Sequence, residues 1–125
     1  PTIIECNNHN LPVAENELFG PILSVMKFSD EQEVIKLMND NAYGLAAGVF
    51  TENNGTALRV SKQVRAGIVF VNTYRLVSPI APFGGFKNSG YGRESGMEAI
   101  KDYSNLKTTW ISTSQKPSGD PFNIR

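Results

Sequence analysis

The chain has 125 residues, 40% of them apolar, and its 12 basic and 12 acidic side chains cancel. That length fits one domain or a part of a larger one, and the charge balance removes the electrostatic grounds for a nucleic-acid or membrane-surface partner. No apolar run approaches membrane-spanning length, the first residues lack the basic and apolar stretches of a signal peptide, and a lone cysteine excludes an internal disulfide.

One free thiol fits a reducing compartment, so a cytoplasmic location is expected. The first residue is Pro1 rather than Met, and Thr2-Ile3-Ile4 enters an apolar run at once, which suggests a part upstream.

Taken in chain order, Ile22 to Phe28 follows a Gly-Pro turn signal and reads as a strand. Ser29 with Gln32 forms a capping box that opens a helix. Val34, Ile35, Leu37 and Met38 give that helix an apolar face, and Asn39-Asp40-Asn41 ends it. Leu45 to Phe50 is the next strand. Ala57, Val60 and Val64 follow at helical spacing, with Gly67 where a helix C-cap glycine belongs. Ile68 to Val71 is a continuous β-branched and aromatic run, the pattern of a strand covered on both faces. Strand, helix, strand, helix, strand in this order predicts an α/β fold, with a mostly parallel sheet and flanking helices.

Residues 73–93 are loop-like, punctuated by Pro79, Pro82 and glycines at 84, 85, 90 and 92. A loop of that length in a compact domain is functional or disordered, and Phe83, Phe86 and Tyr91 argue against disorder. Ser95 with Glu98 makes a second capping box ahead of a short helix through Ala99 and Ile100. Thr108 to Ile111 reads as a last strand, and residues 117–121 as an irregular tail.

Several chemical readings fail on residue count or spacing. Gly90 to Gly96 is one residue too long for the dinucleotide fingerprint. Gly85 and Gly90 have Walker A spacing, but Tyr91 stands where the lysine is required. The glycines are better suited to positive φ angles and close backbone packing. His9 and Cys6 lack companion ligands, so no metal site is expected. Cys6 has no cation or helix N-terminus beside it in sequence and reads as an incidental surface or half-buried thiol.

Three blocks in order carry a family resemblance. Glu17-Leu18-Phe19-Gly20-Pro21 with the strand after it resembles the Glu-x-Phe-Gly-Pro signature of the aldehyde dehydrogenase superfamily. Tyr43 to Thr51 looks like that family's next strand. Gly67 to Asn72, then Pro82-Phe83-Gly84-Gly85-Phe86-Lys87, Ser89, Gly90, Gly92, Arg93, Glu94 and Gly96, resembles its block near the C-terminus. Tyr103 and Lys107 stand where the family has Tyr and Lys before its final strand. The likeness runs from Pro1 to about Ile111.

The resemblance implies oxidation of an aldehyde to a carboxylic acid with NAD or NADP. A cysteine thiolate attacks the aldehyde to give a thiohemiacetal, and a glutamate activates the water that releases the acid. Both residues, and most of the cofactor-binding domain, belong upstream of the region represented here, so no catalytic residue is expected in this chain. By position, Glu17 matches the carboxylate that hydrogen-bonds the nicotinamide ribose, and Phe19 the aromatic residue against the nicotinamide end. Phe83, with Thr73, Arg75 and Val77, matches the substrate funnel. Arg75 either reads a substrate carboxylate or faces solvent or a protein carboxylate.

Lys107 to Thr113 matches a strand that pairs across a subunit interface, which implies a homo-oligomer. Residues 1–106 then form the C-terminal portion of a catalytic domain, and 107–125 an oligomerisation strand and tail. The alternative is a catalytically silent module that serves subunit association.

Overall fold

The computed structural model describes residues 1–116, 119 and 122. The chain runs β1 (Thr2–Glu5), α1 (Pro12–Glu15), β2 (Ile22–Val25), α2 (Glu31–Asn39), β3 (Tyr43–Gly44), β4 (Ala46–Val49), α3 (Asn54–Gln63), β5 (Ile68–Val71), β6 (Phe86–Lys87) and α4 (Ala99–Asp102). The expected α/β class holds. The strands form parallel pairs β1–β2 and β4–β5 and one antiparallel pair, β3–β6.

The strand at 2–5 was not expected as an element. It takes β2 as its neighbour, with Thr2 opposite Ile22 and Glu5 opposite Val25. β2 therefore pairs backwards in the chain rather than with β4, and no backbone ladder joins the two parallel pairs among the described residues. Parallel strands are ordinarily covered on both faces. Here Ile3, Ile22 and Leu23 are all exposed.

The core lies between α2, α3 and the β4–β5 pair. Ile35, Val60 and Val64 are buried, and Met38, Ala47, Val49, Ala66 and Val69 pack around them. Both helices begin on side-chain caps. In α2 the cap is Asp30, whose carboxylate accepts from Glu33 N, while Glu33 Oε2 accepts from Ser29 N. The expected box thus sits one residue later than Ser29–Gln32. Two carboxylates at the positive end of the helix win over a neutral hydroxyl–amide pair. Asn53 caps α3 by accepting from Thr56 N.

The helices are tied at both ends. Near their N-termini, Arg59 Nε and Nη2 donate to the two carboxylate oxygens of Glu31, each at 2.8 Å. These hydrogen bonds hold the Glu31 carboxyl below its ordinary range and raise the Arg59 guanidinium. At the C-termini, Asn39 donates from Nδ2 to Gln63 O and accepts at Oδ1 from Arg65 N. Side-chain donors gather on the carbonyls at and just past the end of α2. Lys87 Nζ donates to Asn39 O and Asn41 O, both at 2.9 Å, and His9 Nε2 bonds Asp40 O.

Three further expectations are corrected. Val64 is the C-cap of α3, and Gly67 lies beyond it. A Cβ on Gly67 would stand 1.7 Å from Gly84 O, so this glycine serves a close backbone crossing. Ser95 cannot cap a helix, because its φ is 61° and that of Gly96 is 63°, whereas an N-cap needs extended backbone. The helix starts later, at Ala99, without a side-chain cap. Residues 108–111 form no strand, since no described neighbour offers its backbone, and Trp110 and Ile111 are exposed. The tail at 117–121 lies almost wholly outside the described residues.

Candidate functional site

Glu17 and Phe19 lie in the short connection from α1 to β2, and a tight reversal puts them on display. Asn16 N–H closes α1 on Pro12 O. Gly20 N donates to Leu18 O at 2.5 Å, and Ile22 N to Gly20 O at 2.8 Å. Pro21 has no amide to donate, so the chain passes straight from this reversal into β2. Ser24 Oγ donates to Val13 O and fixes α1 against that strand. Phe19 is consequently 99% exposed. Glu17 is exposed too, and it lines a cavity of about 530 Å³ with Asn16, Tyr43, Leu45, Arg65 and Ser89 among its walls.

Phe83 stands on a second concavity, of about 770 Å³. It is half-buried and bridged to Glu94, each residue's N–H donating to the other's carbonyl at 2.7 Å. Arg93 holds the glycine loop around it. Its Nη1 donates to Gly85 O at 3.0 Å and Gly92 O at 2.6 Å, and its guanidinium lies 4.9 Å from the centre of the Phe86 ring. The expectation that these glycines serve conformation and close packing is met. Gly90, Gly92 and Gly96 have positive φ, while a Cβ on Gly84 or Gly85 would press on the backbone of Gly92 or Ser89.

Leu45 and Ser89 line both cavities. Ser89 Oγ accepts from Gly44 N at 3.0 Å, pinning the glycine loop to the end of β3. The sequence places both residues in blocks shared with the family but gives neither a role at a site. A serine in a glycine-rich loop carries no signal of its own, and the β3–β6 pairing that brings it to Gly44 is only two residues long on each side.

Thr73, Arg75 and Val77 line neither cavity. They lie exposed on the loop that leaves β5. Asn72 starts that loop with a φ of 53°, and the Tyr74 ring meets Phe70 edge-on at 6.2 Å. The structure therefore places Glu17 and Phe83 on adjoining concavities and leaves Thr73, Arg75 and Val77 exposed and lining neither.

Cys6 is 3% exposed, deeper than expected, with its Sγ on Ile4 O. A buried thiol on a carbonyl is poorly placed to attack a substrate. Among the described residues no group of His, Cys, Asp and Glu could hold a metal ion, and no helix is long and apolar enough to cross a membrane.

Comparison with known proteins agrees with the blocks read in the sequence. The family described as "Aldehyde dehydrogenase family" matches residues 1–109. A (Z)-2-((N-methylformamido)methylene)-5-hydroxybutyrolactone dehydrogenase of Acinetobacter baylyi is 49% identical over 126 positions, covering 100% of this chain and 26% of the relative. An aldehyde dehydrogenase of Emericella nidulans is 47% identical over 108 positions, covering 86% of this chain and 22% of its own length.

Among solved structures, the P. syringae indole-3-acetaldehyde dehydrogenase in complex with NAD+ and IAA has a TM-score of 0.82 at 45% identity. It covers 87% of this chain, which spans 22% of that one. The NAD+ complex of an aldehyde dehydrogenase from Bacillus cereus has a TM-score of 0.84 at 38% identity, with 90% and 23% covered. The chain spans about a quarter of the length of these proteins. By sequence along nearly its whole length, and by fold, the chain belongs to the aldehyde dehydrogenase family.

Proposed function

We propose that this chain forms one wall of the active site of an NAD(P)-dependent aldehyde dehydrogenase that converts an aldehyde to a carboxylic acid. The cysteine nucleophile, the glutamate base and most of the dinucleotide-binding surface come from other parts of the same polypeptide. The observation that carries this reading is the meeting of two concavities at Leu45 and Ser89, with Glu17 on one and Phe83 on the other. The burial of Cys6 against Ile4 O is consistent with a nucleophile supplied elsewhere.

The residues present fit the nicotinamide end of such a cofactor. Glu17 is exposed at a cavity and Phe19 is bare beside it, so a carboxylate and an aromatic face are both available. Such a cofactor, when bound, would supply the hydride acceptor for oxidation of the substrate carbon. Glu17 would accept hydrogen bonds from the ribose hydroxyls and so fix how the ring is presented. Phe19 covers the ring end and keeps water from the reacting carbon. Phe83 would line the path by which the aldehyde arrives, with the exposed loop carrying Thr73, Arg75 and Val77 completing that path only in the assembled enzyme.

In this reading residues 1–106 complete the catalytic domain, and residues 107–125 form an arm. Lys107–Thr113 adds a strand to a second copy of the chain, making the enzyme a homo-oligomer. The bare faces of the β1–β2 pair support a setting inside a larger sheet. The single thiol suits the cytoplasm.

The test is formation of reduced nicotinamide by the full-length protein with short aliphatic, aromatic and carboxylated aldehydes, with NAD+ and NADP+ in separate arms. Turnover with at least one aldehyde is expected, and none from residues 1–125 alone. Failure with every aldehyde and both cofactors overturns the reading.

A further inference from the structure

Leu45 lines both cavities, and its place depends on three hydrogen bonds to the peptide groups around it. Two are main-chain ties to the start of β5. Gly44 O accepts from Gly67 N at 3.0 Å, and Leu45 O accepts from Ile68 N at 3.1 Å. The third is made by a side chain, with Gly44 N donating to Ser89 Oγ at 3.0 Å. Gly44 is buried, and no side chain could take over the hold from its own position. A Cβ there would stand 2.7 Å from Arg65 O. Glycine also has the widest backbone freedom of any residue, so what grips its amide sets how the chain enters Leu45.

Ser89 is itself fixed by its surroundings. Its N–H donates to Phe86 O at 3.1 Å, and Asn88 N donates to Ala42 O at 3.0 Å. A Cβ on Gly85 would lie 2.7 Å from Ser89 Cβ, so the turn closes on the serine only because residue 85 is bare. Two residues before Gly85 stands Phe83, held by its paired hydrogen bonds with Glu94. A short path of covalent and close contacts therefore runs from Phe83 through Gly85 and Ser89 to Gly44 and Leu45. These contacts lie within the chain and do not depend on what covers its outer faces. Reaction rate is far more sensitive than binding to the relative placement of two reactants.

We propose that Ser89 is a positioning residue for hydride transfer. By gripping Gly44 N it sets Leu45, and with Leu45 the spacing between the Glu17 side and the Phe83 side of the site. This rests on the function proposed above and adds a residue to its machinery.

The experiment uses the full-length enzyme. Ser89→Ala removes the acceptor and little volume. Asn53→Ala removes an acceptor of the same kind from the N-cap of α3, which lines neither cavity, and so measures what loss of such a bond does through stability. The rate read is that of the deuterium-sensitive step in a single turnover, with aldehyde labelled at its carbonyl carbon. Aldehyde is saturating, with whichever of NAD+ or NADP+ supports turnover. In Ser89→Ala that rate should fall about 3- to 10-fold, while the dissociation constant of the cofactor changes less than about twofold. Asn53→Ala should keep the wild-type rate. No fall in Ser89→Ala, an equal fall in both variants, or a loss of cofactor affinity as large as the loss of rate overturns the proposal.

A second readout needs no turnover. In the cofactor-free protein the Gly44 amide should exchange with deuterium about 3- to 10-fold faster in Ser89→Ala than in wild type or Asn53→Ala. Unchanged exchange shows that Ser89 does not hold Gly44 and overturns the proposal whatever the kinetics. If the wild-type enzyme oxidises no aldehyde, the function proposed above falls and this role falls with it. If the wild type turns over and only the Ser89→Ala results fail, the role of Ser89 falls and the parent reading stands.

Discussion

Asn72 holds Thr51 by both ends of its side-chain amide, Oδ1 accepting from Thr51 N at 2.8 Å and Nδ2 donating to Thr51 O at 2.9 Å. Its own amide donates to Val49 O, so one residue closes the β4–β5 ladder and starts the exposed loop. Asn is suited to this place because it tolerates the φ of 53° and carries a donor and an acceptor. Asn72→Ala should destabilise the enzyme by about 1–2 kcal/mol, from two lost hydrogen bonds and a strained backbone. The Thr51 amide should exchange with deuterium faster in that variant, and unchanged exchange would show that Asn72 does not hold the segment.

Gly67→Ala should be far more damaging than the usual cost of a methyl group. Its Cβ would meet Gly84 O at 1.7 Å and Gly84 C at 2.8 Å, and a backbone cannot swing aside as a side chain can. A loss of about 3 kcal/mol or more is expected. Soluble yield and thermal midpoint of the full-length variant are the measurements. A midpoint within a degree or two of wild type would contradict the crossing.

The Glu31–Arg59 pair sets an acid-side weakness. Arg59 holds the Glu31 carboxyl below its ordinary range in the folded chain. The unfolded chain therefore binds a proton at higher pH than the folded one. The pair's contribution is complete above the ordinary carboxylate pKa and drains away as pH falls through the lower folded value. Glu31→Gln should narrow the gap between wild type and variant in that acidic window and leave it constant near neutrality. Thermal midpoints followed across pH would show this, and a gap independent of pH would remove the pair from the account.

Glu17→Gln in the full-length enzyme should slow formation of reduced nicotinamide in a single turnover by about 10- to 100-fold, the worth of a charge-assisted hydrogen bond. Acylation-independent steps, such as covalent attachment of the aldehyde, should keep their rate. If reduced nicotinamide forms at the wild-type rate, Glu17 does not orient the ribose.

Removing residues 107–125 should lower the oligomeric state of the full-length enzyme, read by light scattering. Trp110 is 92% exposed and Ile111 82%, and both are costly to leave in water. Identical assembly with and without the segment would assign subunit contact to another surface.

The sequence showed the α/β order and three of the six strands of the described residues, because runs such as Ile68 to Val71 and Ala46 to Val49 are short and apolar between clear turns. What it hid depended on distance in space. Two overlapping pairs, Ser29–Gln32 and Asp30–Glu33, could each open α2, and the choice turned on charge. Ser95 had the residue type of a cap but the wrong backbone angle. Gly67 stood near the end of α3 and looked like its C-cap, while its reason was Gly84, far along the chain. The site divided similarly. Glu17 and Phe83 were picked out by motif as candidates and line cavities, whereas Leu45 and Ser89, which line both cavities, were read only as parts of blocks with no role at a site.

The crossing of Gly67 and Gly84 is main chain against main chain, with no side chain between them. Their separation therefore cannot be retuned by exchanging one side chain for a larger or smaller one. Under the proposed function, diversification of what this wall recognises falls to the stretch from Thr73 to Ile80, which is fastened only at its ends. The fold thus separates a fixed frame, where a single added carbon meets main chain, from an exposed edge, where a substitution meets solvent in this chain and leaves the frame intact.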